Sequence, residues 1–293
     1  MRSFHGQHKR RGYFEGWYLK HQNGKDTAAL IPAFHIDGEG RRSASLQVIT
    51  DTQVYNVDFP EEDFSAGRGR FLVRLGNSVF SEYGCKLDIQ TENLTLKGML
   101  RYGLFTPPAY DMMGPFRAVP GMECRHSVFS LHHSVDGELT LNGQKFRFHH
   151  GTGYMEGDRG SSFPQRYLWT QCSWEENCIM LSVADIPLYG RQFTGCIGVM
   201  YLKGREYRIA TYRGVKLLHV DDRSVRLRQG RLTLQAELLD STAHPLRAPQ
   251  SGGMTRTIHE SPSCRVRYTC TYQRKKIFDF TSEQASFENN WEP

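Results

Sequence analysis

The sequence predicts an all-β protein whose antiparallel strands form barrels or sandwiches. Apolar and polar residues alternate with period two along most of the chain, hairpin turns separate the short alternating runs, and no long window has the spacing of an amphipathic helix. The chain has 293 residues, of which 39% are hydrophobic and 12% aromatic. This length and composition fit two β domains of ordinary size or one large β domain.

Hairpin turns mark the strands in order along the chain. Asn142 and Gly143 lie between two alternating apolar runs, and Asn-Gly in that setting is the strongest short hairpin signal. Weaker turns of the same kind are predicted at 91–93, 229–230 and 274–276. The polar residues 282–293 are interpreted as a loosely held tail.

A short sequence echo indicates an internal duplication. Residues 12–16 read Gly-Tyr-Phe-Glu-Gly, and residues 153–157 read Gly-Tyr-Met-Glu-Gly. Each copy lies ahead of an aromatic run, Trp-Tyr-Leu in the first half and Tyr-Leu-Trp in the second. We therefore predict two related β domains, an N-terminal one over residues 1–150 and a C-terminal one over residues 151–293.

The net charge and the cysteine content predict which classes of partner and which cellular compartment to expect. Lys and Arg number 37 against 31 Asp and Glu, and the resulting net charge of +6 is too small for nucleic-acid binding to be expected. The seven cysteines are odd in number and include no C-x-x-C pair, so we expect a reducing, cytoplasmic environment. No stretch is apolar enough to span a membrane, and the polar residues 1–11 do not resemble a signal peptide.

The motifs predict neither a metal site nor a cofactor site. The sequence contains no phosphate-binding loop and no dinucleotide fingerprint. The adjacent pairs His132–His133 and His149–His150 would each point to opposite faces of a regular strand, so neither pair is expected to chelate one ion.

The most informative stretch runs from Gly153 to Trp174, where acids, arginines and large aromatic residues are interleaved. An aromatic wall binds flat or apolar ligands and stabilises a cation through the ring face. A carboxyl group in such a wall is desolvated, which raises its pKa and suits it to donate a proton. The alternative is a packed aromatic corner whose acids pair with Arg159 or Arg166.

Four motifs resemble, in the same order, those of the tocopherol cyclase family. Residues 14–18, Phe-Glu-Gly-Trp-Tyr, resemble its first hallmark, and residues 154–171 resemble its second, Y-x-E-x-[DN]-W-G-x-x-F-P-x-x-[WY]-x-W-x-Q. Arg159 stands where that second hallmark has Trp. Pro245–Pro249 resembles the family's P-L-R-A-P loop, and the stretch 195–214 also fits.

The resemblance implies two lipocalin-like antiparallel β-barrel or sandwich domains, a fold shared with carotenoid hydratases. It also implies a cofactor-free isomerase in which an acid protonates the alkene tail of a prenylated hydroquinone and the phenol oxygen then attacks the cation. A hydratase of this type would add water instead, and a carrier would bind a hydrophobic ligand without chemistry. The expected partner is thus a hydrophobic prenylated small molecule, with transient contact to a membrane surface where such a ligand resides.

Four acids are candidates for the proton donor. Glu15 and Glu156 occupy equivalent places in the echo, and because one reaction needs one acid, a structural role such as accepting backbone N–H groups is favoured for both. Asp158 lies in the second hallmark, beside the aromatic run. Asp185 shares a strand face with apolar residues and stands at about the distance from the hallmark where the carotenoid hydratase branch has its acid; the alternative is a turn aspartate.

Five side chains are candidates for substrate binding: Trp17, Tyr18, Tyr154, Arg159 and Trp169. Trp17 and Tyr18 are consecutive, so only one of them can face a pocket from a regular strand, and core packing is the alternative for each. A cation at Arg159 would repel a carbocation, so we expect this residue to anchor a quinol oxygen or a carboxylate.

Overall fold

Antiparallel β-strands dominate the structure, with 69% of residues in strands and 5% in helices. The structure is a computed structural model that describes residues 4–188, 190–240 and 243–291. The strands of the first sheet are β1 (Tyr13–Gln22), β2 (Thr27–Ile36), β3 (Arg42–Thr50), β4 (Val54–Pro60), β5 (Phe64–Ala66), β6 (Leu72–Leu75), β7 (Ser78–Ser81), β8 (Gly84–Gln90), β9 (Thr95–Tyr102), β10 (Cys124–Leu141) and β11 (Gln144–Gly160). Those of the second sheet are β12 (Tyr167–Trp174), β13 (Asn177–Leu188), β14 (Arg191–Leu202), β15 (Arg205–Ala210), β16 (Lys216–Val220), β17 (Ser224–Gln229), β18 (Leu232–Asp240), β19 (His244–Gln250), β20 (Gly253–Tyr272) and β21 (Lys275–Asn289). Short 3-10 helices lie at Gly6–His8, Glu61–Asp63, Gly114–Ala118 and Thr211–Arg213.

The first sheet curves around a single apolar core. Its 11 strands follow the order β4-β3-β2-β1-β11-β10-β9-β8-β7-β6-β5. Alternate residues from strands along this whole order pack in one cluster, among them Leu30, Val57, Leu75, Leu96 and Met155. Because strands near both ends of the order contribute to the same core, the sheet rolls up as a lipocalin-like barrel does.

The second sheet is built in the same way. Its order is β15-β14-β13-β12-β21-β20-β18-β17-β16, and β19 pairs with β20 beside this path. Its core also draws on strands from the whole order, including Leu168, Val183, Ile209, Leu227 and Val266. The predicted all-β class with two lipocalin-like β domains is confirmed.

The two strand orders share the same arrangement around the first strand of each sheet. In each sheet the first strand lies in the middle, with the next three strands on one side and the last strand on the other. Thus β1 pairs with β2 and β11, and β12 pairs with β13 and β21. This repeated connectivity is what a duplicated barrel produces, and it relates the aromatic strands β1 and β12.

The sequence echo, in contrast, does not mark equivalent strands. Its two copies lie on β1 and β11, which are antiparallel neighbours in one sheet, with Trp17 opposite Gly157. The echo therefore gives no boundary between domains, because both copies belong to the same barrel.

The chain divides into two compact units, each made of separate segments. Unit 1 comprises the described parts of Met1–Pro108, Cys124–Phe163 and Arg247–Arg256; unit 2 comprises those of Ala109–Glu123, Pro164–Leu246 and Thr257–Pro293. The segment Ala109–Glu123 thus belongs to the unit that contains most of the second half. The division into an N-terminal domain over residues 1–150 and a C-terminal domain over residues 151–293 stays a prediction.

A bulge interrupts the pairing of β10 with β11. The register shift between Val135 and Gly137 leaves Asp136 opposite both His149 and His150. His150 has a φ of 51°, in the left-handed region, so the extra residue does not reverse the side-chain direction. The two imidazole rings lie side by side with centroids 4.4 Å apart. The expectation of opposite faces is wrong for this pair, because it assumed a regular strand.

The interpretation of residues 282–293 as a loose tail is also wrong for the residues that the structure describes. Most of this stretch belongs to β21, which pairs with both β12 and β20 in the middle of its sheet. Ala285 and Phe287 alternate with polar residues and are buried, and Trp291 beyond the strand is buried as well. Over residues 4–188, 190–240 and 243–291, no helix is long and apolar enough to cross a membrane.

Candidate active site

The first part of the second hallmark, residues 154–160, lies on β11, between β1 and β10 in unit 1. Tyr154, Glu156 and Asp158 alternate along this strand, so they share one face of the sheet. The register of β10 sets His126 directly opposite Asp158. Met155, on the other face, points into the barrel core. The two acids of the hallmark and His126 therefore meet on the face that points away from the core.

These four side chains form a continuous polar chain, referred to below as the His126 cluster. The hydroxyl of Tyr154 donates to Oε2 of Glu156 at 2.5 Å. The same Oε2 lies 3.3 Å from Nε2 of His126, and Nδ1 of His126 lies 3.1 Å from Oδ1 of Asp158. Cys124 extends the chain, because its thiol donates to Oδ1 of Asp158 at 3.5 Å. Each ring nitrogen of one histidine thus faces a different carboxylate.

The electrostatics of the cluster favour a protonated imidazole. Burial alone would lower the pKa of His126, but the charges of Glu156 and Asp158, and the hydrogen bond that Asp158 accepts from Nδ1 of the ring, raise it well above the usual 6.5. The two carboxylates therefore stabilise the imidazolium, which holds its proton in a site that is largely shielded from water.

The members of the His126 cluster differ in their exposure to solvent. The side chain of Asp158 is 22% exposed, against 7% for Glu156 and 11% for His126. Asp158 is therefore the member that a ligand or solvent reaches most readily. The ligand atoms of His126, Glu156 and Asp158 also lie close enough together to hold a metal ion. An ion there would have to displace one of the two carboxylates from the ring, since a single imidazole nitrogen would bind it.

His126 was not among the candidates from the sequence. It precedes the hallmark by a whole strand and turn, and no motif surrounds it. Antiparallel pairing of β10 with β11 brings His126 to the site. The hairpin at Asn142 and Gly143 predicts this pairing, but no sequence pattern indicates the register shifts along it.

Glu15 lies in a different setting from its echo Glu156. It faces the barrel interior and accepts the backbone N–H of His5 at 2.8 Å and the hydroxyl of Tyr13 at 2.7 Å, while Nδ1 of His5 is 2.9 Å away. Burial and the neighbouring Glu15 carboxylate raise the pKa of Tyr13 above its usual value. Glu15 thus ties the segment before β1 to the barrel.

Asp185 lies on the inner face of β13 in unit 2 and has its own partners. The hydroxyl of Thr194 donates to its Oδ1 at 2.6 Å, and the guanidinium of Arg166 is 3.4 Å from its Oδ2. Arg166 also lies over the ring of Trp291, 4.9 Å from the ring centroid. The predicted apolar face is present, since Val183 is in the barrel core, but the carboxylate itself is held by an arginine and a hydroxyl.

Trp17 and Tyr18 point to opposite faces of β1. Trp17 packs in the barrel core, with its ring centroid 5.9 Å from that of Phe71. Tyr18 is opposite Glu156 in register and so lies on the face of the His126 cluster. Of this pair, Tyr18 is the one that a ligand at the cluster would meet.

Arg159 and Trp169 complete the set of sequence candidates. Arg159 is opposite Glu15 in register, so it shares the inner face with Glu15 and not the face of the His126 cluster. Trp169 is a buried residue of β12 on the face opposite to Leu168, which is in the core of unit 2.

A comparison with protein families shows which family the chain belongs to. The sequence profile described as tocopherol cyclase-like matches residues 93–289. The chain belongs to the tocopherol cyclase-like family. The part that matches this family contains His126, Glu156, Asp158 and Asp185, whereas Glu15 lies before it.

Solved structures share the fold of this family member. CghA, whose structure was solved with Sch210972, is 12% identical over 95% of this chain and 88% of its own, with a TM-score of 0.59. Kievitone hydratase from Nectria haematococca is 9% identical over 95% of this chain and 89% of its own, with a TM-score of 0.55. At such identities the likeness shows the fold alone. No curated protein sequence matches the chain at a significant level.

Proposed function

We propose that this chain is an acid–base enzyme that protonates an alkene of a prenylated hydroquinone or a related isoprenoid and closes a ring without any cofactor. The observation that carries the proposal is the His126 cluster, a buried imidazole between two carboxylates in the part of the chain that matches the tocopherol cyclase-like family. Such a cluster supplies both an acid for the alkene and a base for the phenol.

The cluster gives up one proton and regains one proton in each reaction cycle. A proton held by His126 passes through a neighbouring carboxyl group to the less substituted alkene carbon, forming a C–H bond and a tertiary cation. The phenol oxygen then forms a C–O bond to the cation, and the proton released from the phenol returns to the cluster. The product is an isomer of the substrate, so neither an oxidant nor a metal is needed.

The geometry supports separate roles for the members. The greater exposure of Asp158 favours it as the group that hands the proton to the substrate. Glu156 and His126 hold the proton behind it, and Tyr154 fixes Glu156 by its hydrogen bond. The ring of Tyr18, on the same face, is suited to stabilise the cation.

The test is incubation of the purified chain with a panel of prenylated hydroquinones, followed by chromatography and mass analysis. We expect a product of unchanged mass and new retention time, and we expect His126→Gln, Glu156→Gln and Asp158→Asn each to abolish it. The matched control is Asp221→Asn, because Asp221 pairs with His219 at 2.7 Å on the surface. A product heavier by one water would identify a hydratase, and binding without conversion would identify a carrier; either result overturns the cyclase.

A further inference from the structure

The outer side of the β10–β11 bulge brings three metal-ligating side chains together. Nδ1 of His149 lies 3.5 Å from Oδ1 of Asp136, and Nδ1 of His150 lies 3.9 Å from the same oxygen. Ligand atoms of all three residues lie within 4.8 Å of one another. The group belongs to unit 1, and no step of the proposed reaction uses it.

The backbone, and not chance orientation, produces this grouping. On a regular strand, His149 and His150 would point to opposite faces. The left-handed conformation of His150 and the register shift opposite Asp136 turn both rings outward. A bulge that redirects a side chain in this way is a recurrent feature near functional sites.

Asp136 is held in position for this role. Its Oδ1 accepts the backbone N–H of His150 at 2.9 Å, which fixes the carboxylate next to both rings. Hydrogen bonds to a ligating carboxylate are the usual support around a metal site.

We propose that Asp136, His149 and His150 form a surface site for a divalent transition-metal ion of the zinc type. Two imidazoles and one carboxylate are a common ligand set for such ions. Bonds of about 2.0–2.1 Å in tetrahedral geometry place ligand atoms about 3.4 Å apart, close to the 3.5 and 3.9 Å between Asp136 and the two rings. The rings are 88% and 79% exposed, so they can close on an ion without disturbing the core, and water would fill the fourth position.

The test is a calorimetric titration of the purified chain with Zn²⁺, together with the visible spectrum of the Co²⁺ form. We expect one ion per chain at this site and a spectrum typical of tetrahedral nitrogen and oxygen ligands. His149→Ala, His150→Asn and Asp136→Asn should each weaken binding at least about tenfold. Asparagine is chosen at position 150 because it tolerates the left-handed backbone better than alanine.

Two further variants separate this site from others on the chain. His219→Ala removes a surface histidine that pairs with a single aspartate, and it should leave Zn²⁺ binding unchanged. His126→Gln removes the histidine of the candidate active site and should also leave it unchanged. The proposal is overturned if no ion binds, or if binding persists in His149→Ala and His150→Asn chains whose unfolding temperatures without metal equal that of the unmodified protein.

Discussion

His126 and Asp158 are partners across β10 and β11, and their side chains meet at 3.1 Å through Nδ1 and Oδ1. The same imidazole faces Glu156 through its other nitrogen. One positive charge therefore serves two carboxylates on a buried sheet face. Removing that charge would take an ion-pair partner away from both acids.

We predict that His126→Gln lowers the free energy of unfolding by about 3–5 kcal/mol, because it breaks a buried ion pair. Urea denaturation at pH 6 would measure this, with the surface variant His219→Gln as control. The folded-state pKa of His126 is raised above 6.5, so its stabilisation is complete below pH 6.5 and is lost as pH rises through the folded value. An equal loss of stability at pH 6 and at pH 10 would contradict this account.

Acid should destabilise the protein through two other buried histidines. Burial lowers the pKa of His21 and of His35 to about 4, so both are neutral in the folded chain. Their contribution is present above pH 6.5, the unfolded value, and is lost as pH falls from 6.5 towards 4, at about 1.4 kcal/mol for each unit of pKa difference. Urea denaturation between pH 7 and pH 4 should show this loss. His35→Gln should reduce the slope, whereas the exposed His259→Gln should not.

Arg208 should hold the segment Ala109–Glu123 within unit 2. Its buried guanidinium donates to the backbone carbonyls of Tyr110 and Asp111 and pairs with Glu206 at 2.7 Å. Arg208→Ala should cost about 3 kcal/mol or more and make this segment sensitive to limited proteolysis. Arg267→Ala, which breaks an exposed pair with Asp279, should cost much less, because solvent screens that pair. Equal effects of the two variants would show that burial of Arg208 does not matter.

Asp185 and Asp158 should respond differently to the same change. Asp185 is held by Arg166 and Thr194, so Asp185→Asn should lower the unfolding temperature. Its rate of cyclisation should stay within a few-fold of that of the unmodified protein. Asp158→Asn should abolish turnover and lower the unfolding temperature less than His126→Gln does, since Asp158 is the more exposed acid. Parallel product assays and thermal melts test this, and loss of turnover in Asp185→Asn alone would return the acid role to Asp185.

Patterns local in sequence predicted most of the fold. Period-two alternation and turns such as Asn142–Gly143 gave the strand class, because each depends on a few neighbouring residues. The face shared by Asp185 and Val183 followed from alternation as well. Alternation also placed Trp17 and Tyr18 on opposite faces.

Features that depend on pairing between distant strands were not predictable in this way. His126 reaches the hallmark acids only through the register of β10 with β11. His149 and His150 share a side only because one residue is added opposite Asp136. The polar residues at the end of β21 look like a tail in the sequence, yet the sheet needs them as a central strand.

The pairing of β1 with β11 and of β12 with β21 has a consequence for how the protein is made. The ribosome synthesises β1 well before its partner β11, and β12 well before its partner β21. During synthesis β12 therefore keeps one open edge until β21 has left the exit tunnel, and such edges invite pairing with other chains. Premature termination inside β21 would remove the strand that joins the two arms of the sheet. We expect such shortened chains to aggregate in the cell, and chaperone demand during translation to be greatest just before that strand appears.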